Sequence, residues 1–236
     1  MTTLVLTLSG VSVRYGRRSA VSEVSWDLGV GFHALLGPNG AGKTSLLRAI
    51  STLQPVKAGT VALDGNPVRQ VRQRLGFLPQ ENLGRSRFTV QEHLAYMCWL
   101  RQLPSVDVAG EVERVLDLVD LADRCGDRIS SLSGGMRRRV GIGSALVGNP
   151  SLVVLDEPSA GLDVAQRESL TRVLDRVSED AIVLVSTHIV EDVLEHADSL
   201  TVMDKGRFLF SGPFEQFTSS RDLAAVRDRY MAMVSQ

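Results

Sequence analysis

The sequence predicts an α/β fold in which a mostly parallel sheet is combined with an antiparallel β layer and an inserted helical subdomain. Three short strands precede the first helix, as an antiparallel layer requires, at residues 4–8, 11–15 and 24–28. Two continuous apolar runs, at residues 152–155 and 181–185, are typical of parallel strands that are covered on both faces. The chain between these two groups of strands has long stretches of helical periodicity, which favours a helical insertion into the α/β core.

The helical subdomain is predicted at about residues 87–147. Residues 91–103 and 107–121 have helical character, and in the second segment apolar side chains recur at helical spacing. Ser133 is a good N-cap for a third helix that runs to about Val147.

The remaining segments complete the α/β core. Strands are predicted at residues 59–65 and 75–80, and a helix is predicted from about Val164. Residues 200–203 and 207–210 predict a closing hairpin. The weakly amphipathic C-terminal tail is expected to pack on its own domain.

The bulk composition excludes several classes of protein. The chain has 236 residues, of which 44% are hydrophobic and 22% are charged, enough for one well-buried core. Its net charge of -1 gives no basic excess, so no nucleic-acid partner is expected. We see no secretory signal and no apolar run long enough to cross a bilayer. Two cysteines are too few for a disulfide framework and fit a reducing cytoplasm.

A glycine-rich loop lies between an apolar strand and a helix-forming segment, which is the order that a phosphate-binding P-loop needs. Its glycines allow backbone N–H groups to surround phosphate oxygens, and the positive end of the next helix favours the same anion. Lys43 is predicted to reach the β- and γ-phosphates, and the Thr44 hydroxyl to ligate Mg²⁺. The predicted nucleotide-binding residues of this segment are Gly37, Pro38, Asn39, Gly40, Ala41, Gly42, Lys43, Thr44 and Ser45.

Polar residues follow three further predicted strands. Asp156 and Glu157 end a buried strand, where a carboxylate pair is costly unless it has partners or a task. Asp156 is predicted to hold Mg²⁺, and Glu157 to orient or deprotonate an attacking water. His188 follows another strand and could meet a γ-phosphate or a water. Gln80 is either a ligand contact at the sheet edge or a solvated loop residue.

A second anion site is predicted at the start of the third helix of the subdomain. Ser133, Gly134 and Gly135 leave open N–H groups at a helix N-terminus. Residues 137–139 are three arginines, which we expect to form a solvated face. Tyr15 is either an ordinary strand aromatic or a ring that stacks on a purine base.

Taken together these residues resemble the nucleotide-binding domain of ATP-binding cassette (ABC) transporters, and the resemblance treats residues 1–236 as one such domain. The run from Leu132 to Met136, placed shortly before Asp156 and Glu157, is highly specific to that family. The resemblance implies a P-loop NTPase (RecA-like) core. It also implies that Tyr15 stacks on adenine, that Gln80 belongs to the Q-loop and helps to hold Mg²⁺, that Asp163 belongs to the D-loop, and that His188 is the switch histidine.

The family's arrangement implies a mechanism. Two domains pair head to tail, so that Ser133 and Gly135 of one chain cover the γ-phosphate held by Lys43 of the other. Both half-sites look intact, which favours a homodimer over a heterodimer. Met136, followed by basic residues, is similar to the ATP-binding subunits of ABC-2-type exporters, which serve separate membrane subunits.

The first functional hypothesis is therefore an ATPase subunit that binds ATP and Mg²⁺ and powers a separate transmembrane permease, with export favoured over import. Such a subunit would lie on the cytoplasmic face of the cell membrane. The second hypothesis is a soluble ABC ATPase that acts on ribosomes or DNA, and the third is a cassette that binds nucleotide without turnover. The residues do not identify the transported substrate.

Overall fold

A computed structural model of the chain describes residues 4–81, 83–84, 86–194, 196–218 and 220–235. Residues 1–3, which were considered in the search for a secretory signal, lie outside the described part. Within it, the strands are Leu6–Tyr15 (β1), Arg18–Leu28 (β2), Gly31–Leu36 (β3), Ala58–Leu63 (β4), Asn66–Pro67 (β5), Leu75–Leu78 (β6), Leu152–Asp156 (β7), Ile182–Thr187 (β8), Ser199–Asp204 (β9) and Arg207–Pro213 (β10).

The α-helices of the described residues are Lys43–Ile50 (α1), Val90–Leu100 (α2), Val108–Leu118 (α3), Gly134–Leu146 (α4), Val164–Ser178 (α5), Phe214–Phe217 (α6) and Leu223–Val234 (α7). Short 3-10 turns occur at Val68–Gln70, Arg72–Arg74, Ala122–Arg124, Ile129–Ser131 and Val190–Val193. None of the helices in these ranges combines the length and apolar character that a bilayer crossing requires.

The central element is a six-stranded sheet in the order β10-β9-β3-β8-β7-β6. All its neighbouring strands are parallel except β9 and β10, which form the predicted antiparallel hairpin. Leu36 pairs with Thr187, and Asp156 pairs with Ser186. The ends of β3, β7 and β8 therefore meet at one edge of the sheet, where ligands bind in open α/β folds.

The central strands are buried on both faces, as the apolar runs predict. Along β7, Val153 and Leu155 contribute to the core beneath helices α2 to α5. Leu152 and Val154 contribute to the opposite core, against α1 and the antiparallel sheet. This alternation explains why the run contains no polar side chain before Asp156.

The antiparallel sheet has the order β2-β1-β4-β5, and it corrects one prediction. The expected strands at residues 4–8 and 11–15 are one continuous strand, β1, and residues 24–28 are the end of the longer strand β2. Gly10 adopts φ +58°, and the β1–β2 register shifts between Leu8 and Val11. A local irregularity at a glycine thus bends the strand without ending it.

The helical subdomain contains α2, α3 and α4. Two of its helices are shorter than predicted, because Gln102 and Asp120 adopt φ +60° and +53° just beyond the ends of α2 and α3. A positive φ is incompatible with a continuing right-handed helix. Ser133 caps α4 as predicted, with its Oγ 3.2 Å from the Met136 amide nitrogen.

The C-terminal tail packs on its own domain, as expected. Val226 and Tyr230 of α7 are buried in a third core cluster. That cluster also contains Phe214 and Phe217 of α6 and apolar side chains of β3 and β9.

Candidate active site

A cleft of about 700 Å³ opens beside the loop that follows β3. It brings together residues that lie far apart in the sequence. The predicted site residues that line it are Tyr15, Pro38, Asn39, Gly40, Ala41, Gly42, Lys43, Thr44, Ser45, Gln80 and Glu157. Arg18, Ser19, Ala20, Lys205 and Gly206 also line the cleft and were not predicted.

The loop itself is held close to the antiparallel sheet. Gly42 adopts φ +109° and immediately precedes α1. A β-carbon at Gly42 would lie closer than 3.0 Å to the carbonyl oxygen of Ala20 in β2. Glycine is therefore required here by both conformation and space.

A main-chain junction links the same loop to two other segments. The Gly206 amide, in the β9–β10 turn, donates to the Ala41 carbonyl at 2.8 Å. The Gly206 carbonyl accepts from the Ser22 amide of β2, also at 2.8 Å. We call these two hydrogen bonds the Gly206 junction, because they join the loop, the hairpin and the antiparallel sheet.

Lys43 is buried at the base of the cleft. Its Nζ donates to the carbonyls of Gly37, at 2.6 Å, and Pro38, at 3.3 Å. The same Nζ lies 3.6 Å from Oε1 of Glu157. Burial lowers the pKa of Lys43 from its ordinary value, and the neighbouring Glu157 carboxylate opposes that effect.

Glu157 is held between Lys43 and His188. One carboxylate oxygen, Oε1, faces Lys43, and the other, Oε2, lies 2.8 Å from Nδ1 of His188. Glu157 is buried, whereas nearly half of the His188 side chain is exposed. The Glu157 backbone has φ +51°, which is uncommon for a residue with a side chain and needs support from its surroundings.

Asp156 has one satisfied and one unsatisfied carboxylate oxygen. Its Oδ1 accepts a hydrogen bond of 2.6 Å from Oγ of Ser186. Its Oδ2 is buried and has no hydrogen-bond partner among the described residues. An unpaired carboxylate oxygen in a buried site is costly in free energy unless a cation or a water completes it. The chemistry of this atom therefore fits a divalent metal.

The predicted second anion site lies outside the cleft. Ser133 and Gly134 are exposed at the start of α4, and the main chain at Gly135 approaches the Gln166 side chain of α5 closely. Asp163 caps α5, with Oδ1 2.9 Å from the Gln166 amide nitrogen. The N-termini of two helices thus lie side by side on one surface, with Val164 75% exposed beside them.

The prediction that the three arginines at residues 137–139 form a solvated face is wrong for the middle one. Arg138 is only 1% exposed, whereas Arg137 and Arg139 are half-buried. Successive residues of a helix point about 100° apart, so three consecutive arginines cannot share one face. Arg138 points towards the ends of β6 and β7, where it donates hydrogen bonds to the carbonyls of Pro79, Gln80, Asp156, Glu157 and Pro158.

A second cluster that the sequence did not reveal is centred on Asp192. Its Oδ2 accepts hydrogen bonds from Oγ1 of Thr187, at 3.0 Å, and from the Ser159 hydroxyl. Its Oδ1 lies 3.6 Å from the Arg167 guanidinium of α5. The cluster joins the end of β8 to the loop after β7, directly beside His188.

Comparison with known proteins identifies the family. Residues 21–160 match the family model described as ABC transporter. The chain belongs to the ABC transporter family. Its fold is similar to that of a solved structure titled "Structure of ATP binding subunit of ABC transporter", with a TM-score of 0.87 and 23% identity over 97% of this chain and 99% of that one. The predicted fold class is confirmed.

Curated relatives agree with this assignment. The chain is 35% identical to "Nod factor export ATP-binding protein I" of Burkholderia orbicola, over 86% of this chain and 68% of the relative. It is 30% identical to "Linearmycin resistance ATP-binding protein LnrL" of Bacillus subtilis, over 88% of this chain and 69% of the relative. It is also 36% identical to "Sulfate/thiosulfate import ATP-binding protein CysA" of Caulobacter vibrioides, over 94% of this chain and 69% of the relative.

The family model and the curated relatives together decide between the functional hypotheses. The chain is an ATP-binding subunit of an ABC transporter, an ATPase whose hydrolysis is coupled to transport. Such subunits dimerise and work with transmembrane partners. Neither the ribosome- or DNA-directed alternative nor the cassette without turnover has support from these comparisons.

Proposed function

We propose that this chain powers an exporter by hydrolysing MgATP between two copies of itself. The observation that carries the proposal is the contact chain Lys43–Glu157–His188, in which a buried carboxylate lies between a cation at the base of the cleft and a half-exposed imidazole. A site for γ-phosphate hydrolysis needs a cation for the phosphate and a carboxylate for the water, side by side.

Each of these residues has a separate role in the proposal. Lys43 binds the β- and γ-phosphates, and the incoming anion competes with Glu157 for the ammonium. Glu157 then orients or deprotonates the attacking water. His188 holds the second oxygen of Glu157, which fixes the direction of the carboxylate. Tyr15, at the rim of the cleft and half-exposed, stacks on the adenine.

Mg²⁺ is assigned to the unpaired oxygen of Asp156, with Thr44 and Gln80 as further ligands. The described residues contain no group of three or more His, Cys, Asp or Glu side chains that could hold a metal by themselves. The ion therefore depends on nucleotide phosphates to complete its shell, as Mg²⁺ in nucleotide enzymes usually does. When bound, Mg²⁺ neutralises charge that develops on the transferred phosphoryl group.

The proposed dimer follows from the separation of the two anion sites. Ser133, Gly134 and Asp163 are exposed, and neither they nor Gly135 line the cleft that holds Lys43. A second copy, placed head to tail, supplies these helix N-termini to the open side of the nucleotide. One chain carries both half-sites, which favours a homodimer. Exposed Val164 gives the same surface an apolar contact.

We assign the contact with the permease to an aromatic surface on the helical subdomain, formed by Phe88, Tyr96 and Trp99. The Tyr96 and Trp99 rings stack with centroids 5.8 Å apart, and Phe88 lies 6.0 Å from Tyr96. Trp99 is 69% exposed, and the other two rings are nearly half exposed. Contiguous exposed aromatic rings on a protein surface mark an interaction site. The permease would hold the chain at the cytoplasmic face of the membrane.

Export is favoured over import by one feature of the sequence. Relatives named for Nod factor export and linearmycin resistance match this chain, but a relative named for sulfate/thiosulfate import matches it over a larger share, so direction is argued from the signature alone. The signature ends in Met136 followed by arginines, which resembles exporter subunits with separate membrane partners.

The proposal is tested by a pull-down from detergent-solubilised membranes of the source organism. The bait is tagged Glu157→Gln protein with MgATP, because loss of a general base is expected to slow hydrolysis by about 10²–10⁴-fold and to trap the closed dimer. We expect one polytopic membrane protein to be enriched. Recovery of no membrane protein, or wild-type phosphate release by the variant, would contradict the proposal.

The docking surface is tested in the same experiment by a second substitution. Trp99→Ser should abolish recovery of the permease while phosphate release and melting temperature stay at the level of the parent. Leu53→Ser is the matched control, since Leu53 is also well exposed but lies after α1, outside the aromatic surface. Equal recovery with both variants would remove the aromatic surface from the interface.

A further inference from the structure

We propose that Arg138 is a positioning residue for ATP hydrolysis, which holds the general base Glu157 and the Gln80 loop in one fixed arrangement. The inference rests on the proposed function, because it takes Glu157 as the residue that activates water. It adds a residue of α4, the helix capped by Ser133, to the residues that act in the cleft.

The guanidinium of Arg138 is saturated by main-chain carbonyls. Nε donates to Pro158 at 3.2 Å. One terminal nitrogen donates to Pro79 at 2.8 Å and to Gln80 at 3.1 Å. The other donates to Asp156 at 2.6 Å and to Glu157 at 2.7 Å. An arginine side chain has five N–H donors in a planar fork, and here every one has an acceptor.

These acceptors belong to two separate loops at the edge of the central sheet. Residues 79–80 follow β6, and residues 156–158 end and follow β7. These carbonyls lie at the ends of the strands or just beyond them, and buried carbonyls require hydrogen-bond donors, which Arg138 supplies. One rigid, planar group therefore sets the distance between the Gln80 loop and the backbone of Glu157.

Glu157 needs such support more than most residues. Its positive φ of 51° is a sparsely populated conformation that persists only where contacts hold it. The Arg138 hydrogen bonds fix the carbonyls of Glu157 and of its two neighbours, and the Glu157 amide donates to Ser186. The direction of the carboxylate towards Lys43 and His188 depends on that backbone.

Arg138 also remains charged in its buried position. Burial lowers its pKa to about 10, while the carboxylates of Asp156 and Glu157 oppose that shift. A cation that keeps its proton at neutral pH keeps all five donors.

Arg138→Lys is the informative substitution, since it keeps the charge and the aliphatic stem but has three donors on one atom instead of five in a plane. Arg139→Lys is the matched control, because Arg139 lies next on the same helix and binds the carbonyls of Val119 and Asp120, away from the cleft. The full-length proteins are compared by phosphate release over a range of ATP concentrations, by ATP affinity and by melting temperature.

We expect Arg138→Lys to lower kcat about 10–100-fold, as small misplacements of a catalytic group do, with KM and ATP affinity close to wild type. Arg139→Lys should keep kcat. In the Glu157→Gln background, Arg138→Lys should cause little further loss, because residues that act through one another are not additive. Arg138→Gln, which removes the buried charge, is the second variant if the lysine variant does not fold.

Three results would overturn the inference. The first is an unchanged kcat with a lower melting temperature. The second is an equal proportional decrease in kcat in the wild-type and Glu157→Gln backgrounds. The third is failure of both variants to fold, which would leave Arg138 a stabilising residue only. Failure of the proposed function is seen separately. In that case Glu157→Gln alone hydrolyses ATP at the wild-type rate, whatever Arg138 does.

Discussion

Replacing Gly42 by alanine tests how tightly the phosphate-binding loop is held against the antiparallel sheet. Gly42 combines φ +109° with a position where a β-carbon would lie closer than 3.0 Å to the Ala20 carbonyl oxygen and 3.0 Å from Cε of Met203. The added methyl group must therefore displace the main chain of β2, because the nearest atom belongs to the backbone and not to a flexible side chain that could move away. Gly40 is the matched control in the same loop, since its φ is +83° and a β-carbon added there would have no described atom within 4 Å.

The two substitutions differ by one contribution to the free energy of unfolding. Forcing a residue with a β-carbon into left-handed backbone costs about 1–2 kcal/mol, and both variants carry that cost. Overpacking a filled site adds about 1–3 kcal/mol, and only Gly42→Ala carries it. We therefore expect Gly40→Ala to lose about 1–2 kcal/mol and Gly42→Ala about 2–5 kcal/mol.

The assay is urea unfolding without nucleotide, followed by circular dichroism and by tryptophan fluorescence, in which buried Trp26 becomes exposed on unfolding whereas Trp99 is already exposed. Nucleotide is omitted because a methyl group at Gly40 could also obstruct a phosphate, which would confuse binding with stability. An equal loss of stability in both variants would show that the contact between Gly42 and Ala20 is not tight, and would refute the argument.

Three further predictions concern adenine binding, the metal ligand and pH. Tyr15→Ala should weaken ATP binding by about 1–3 kcal/mol in calorimetry while Tyr15→Phe keeps it, and equal affinities would make Tyr15 an ordinary strand aromatic. Ser186→Ala removes the donor to Asp156 Oδ1 and should lower the free energy of unfolding by about 1–3 kcal/mol, with Ser9→Ala, at an exposed position of β1, as the control; no loss would contradict the assigned hydrogen bond. Burial lowers the pKa of His33 and His93 in the folded chain, so the unfolded chain binds more protons below about pH 6.5, and stability should fall as the pH drops through that value; a flat profile in urea titrations would contradict it.

Much of the cleft could be predicted because its residues are encoded in short local patterns. The P-loop from Gly37 to Thr44 is contiguous, and its strand and helix flank it directly. Asp156 and Glu157 could be proposed as site residues because a carboxylate pair after a buried strand is unusual, and Glu157 does line the cleft. In each case the chemistry and the local backbone are specified by neighbours in the sequence.

The role of Arg138 could not be predicted from the sequence, because it depends on a meeting of distant segments. Its acceptors lie near residues 79 and 157, and only the packing of α4 against β6 and β7 brings them together. The one local signal is a proline beside each of those loops, at Pro79 and Pro158, where the chain leaves regular strand pairing and carbonyls need other donors.

The length of β1 was mispredicted for a related reason. Ser9 and Gly10 have turn-forming character, and a local interpretation therefore ends a strand there. The pairing with β2 and β4 on both sides holds the strand through Gly10 instead. Tertiary hydrogen bonds overrode the local preference.

The Gly206 junction has a consequence for how the subunit moves. Because both of its hydrogen bonds are made by main-chain atoms, the link between the P-loop, the β9–β10 hairpin and β2 does not depend on the side chains of these segments. We expect this link to keep the phosphate-binding loop in place relative to both sheets. Rearrangement during an ATPase cycle is then left to the helical subdomain, which is joined to the core through the Gln80 loop and the segment that follows α4. One side of the nucleotide site is therefore held together by two backbone hydrogen bonds at a single glycine, Gly206.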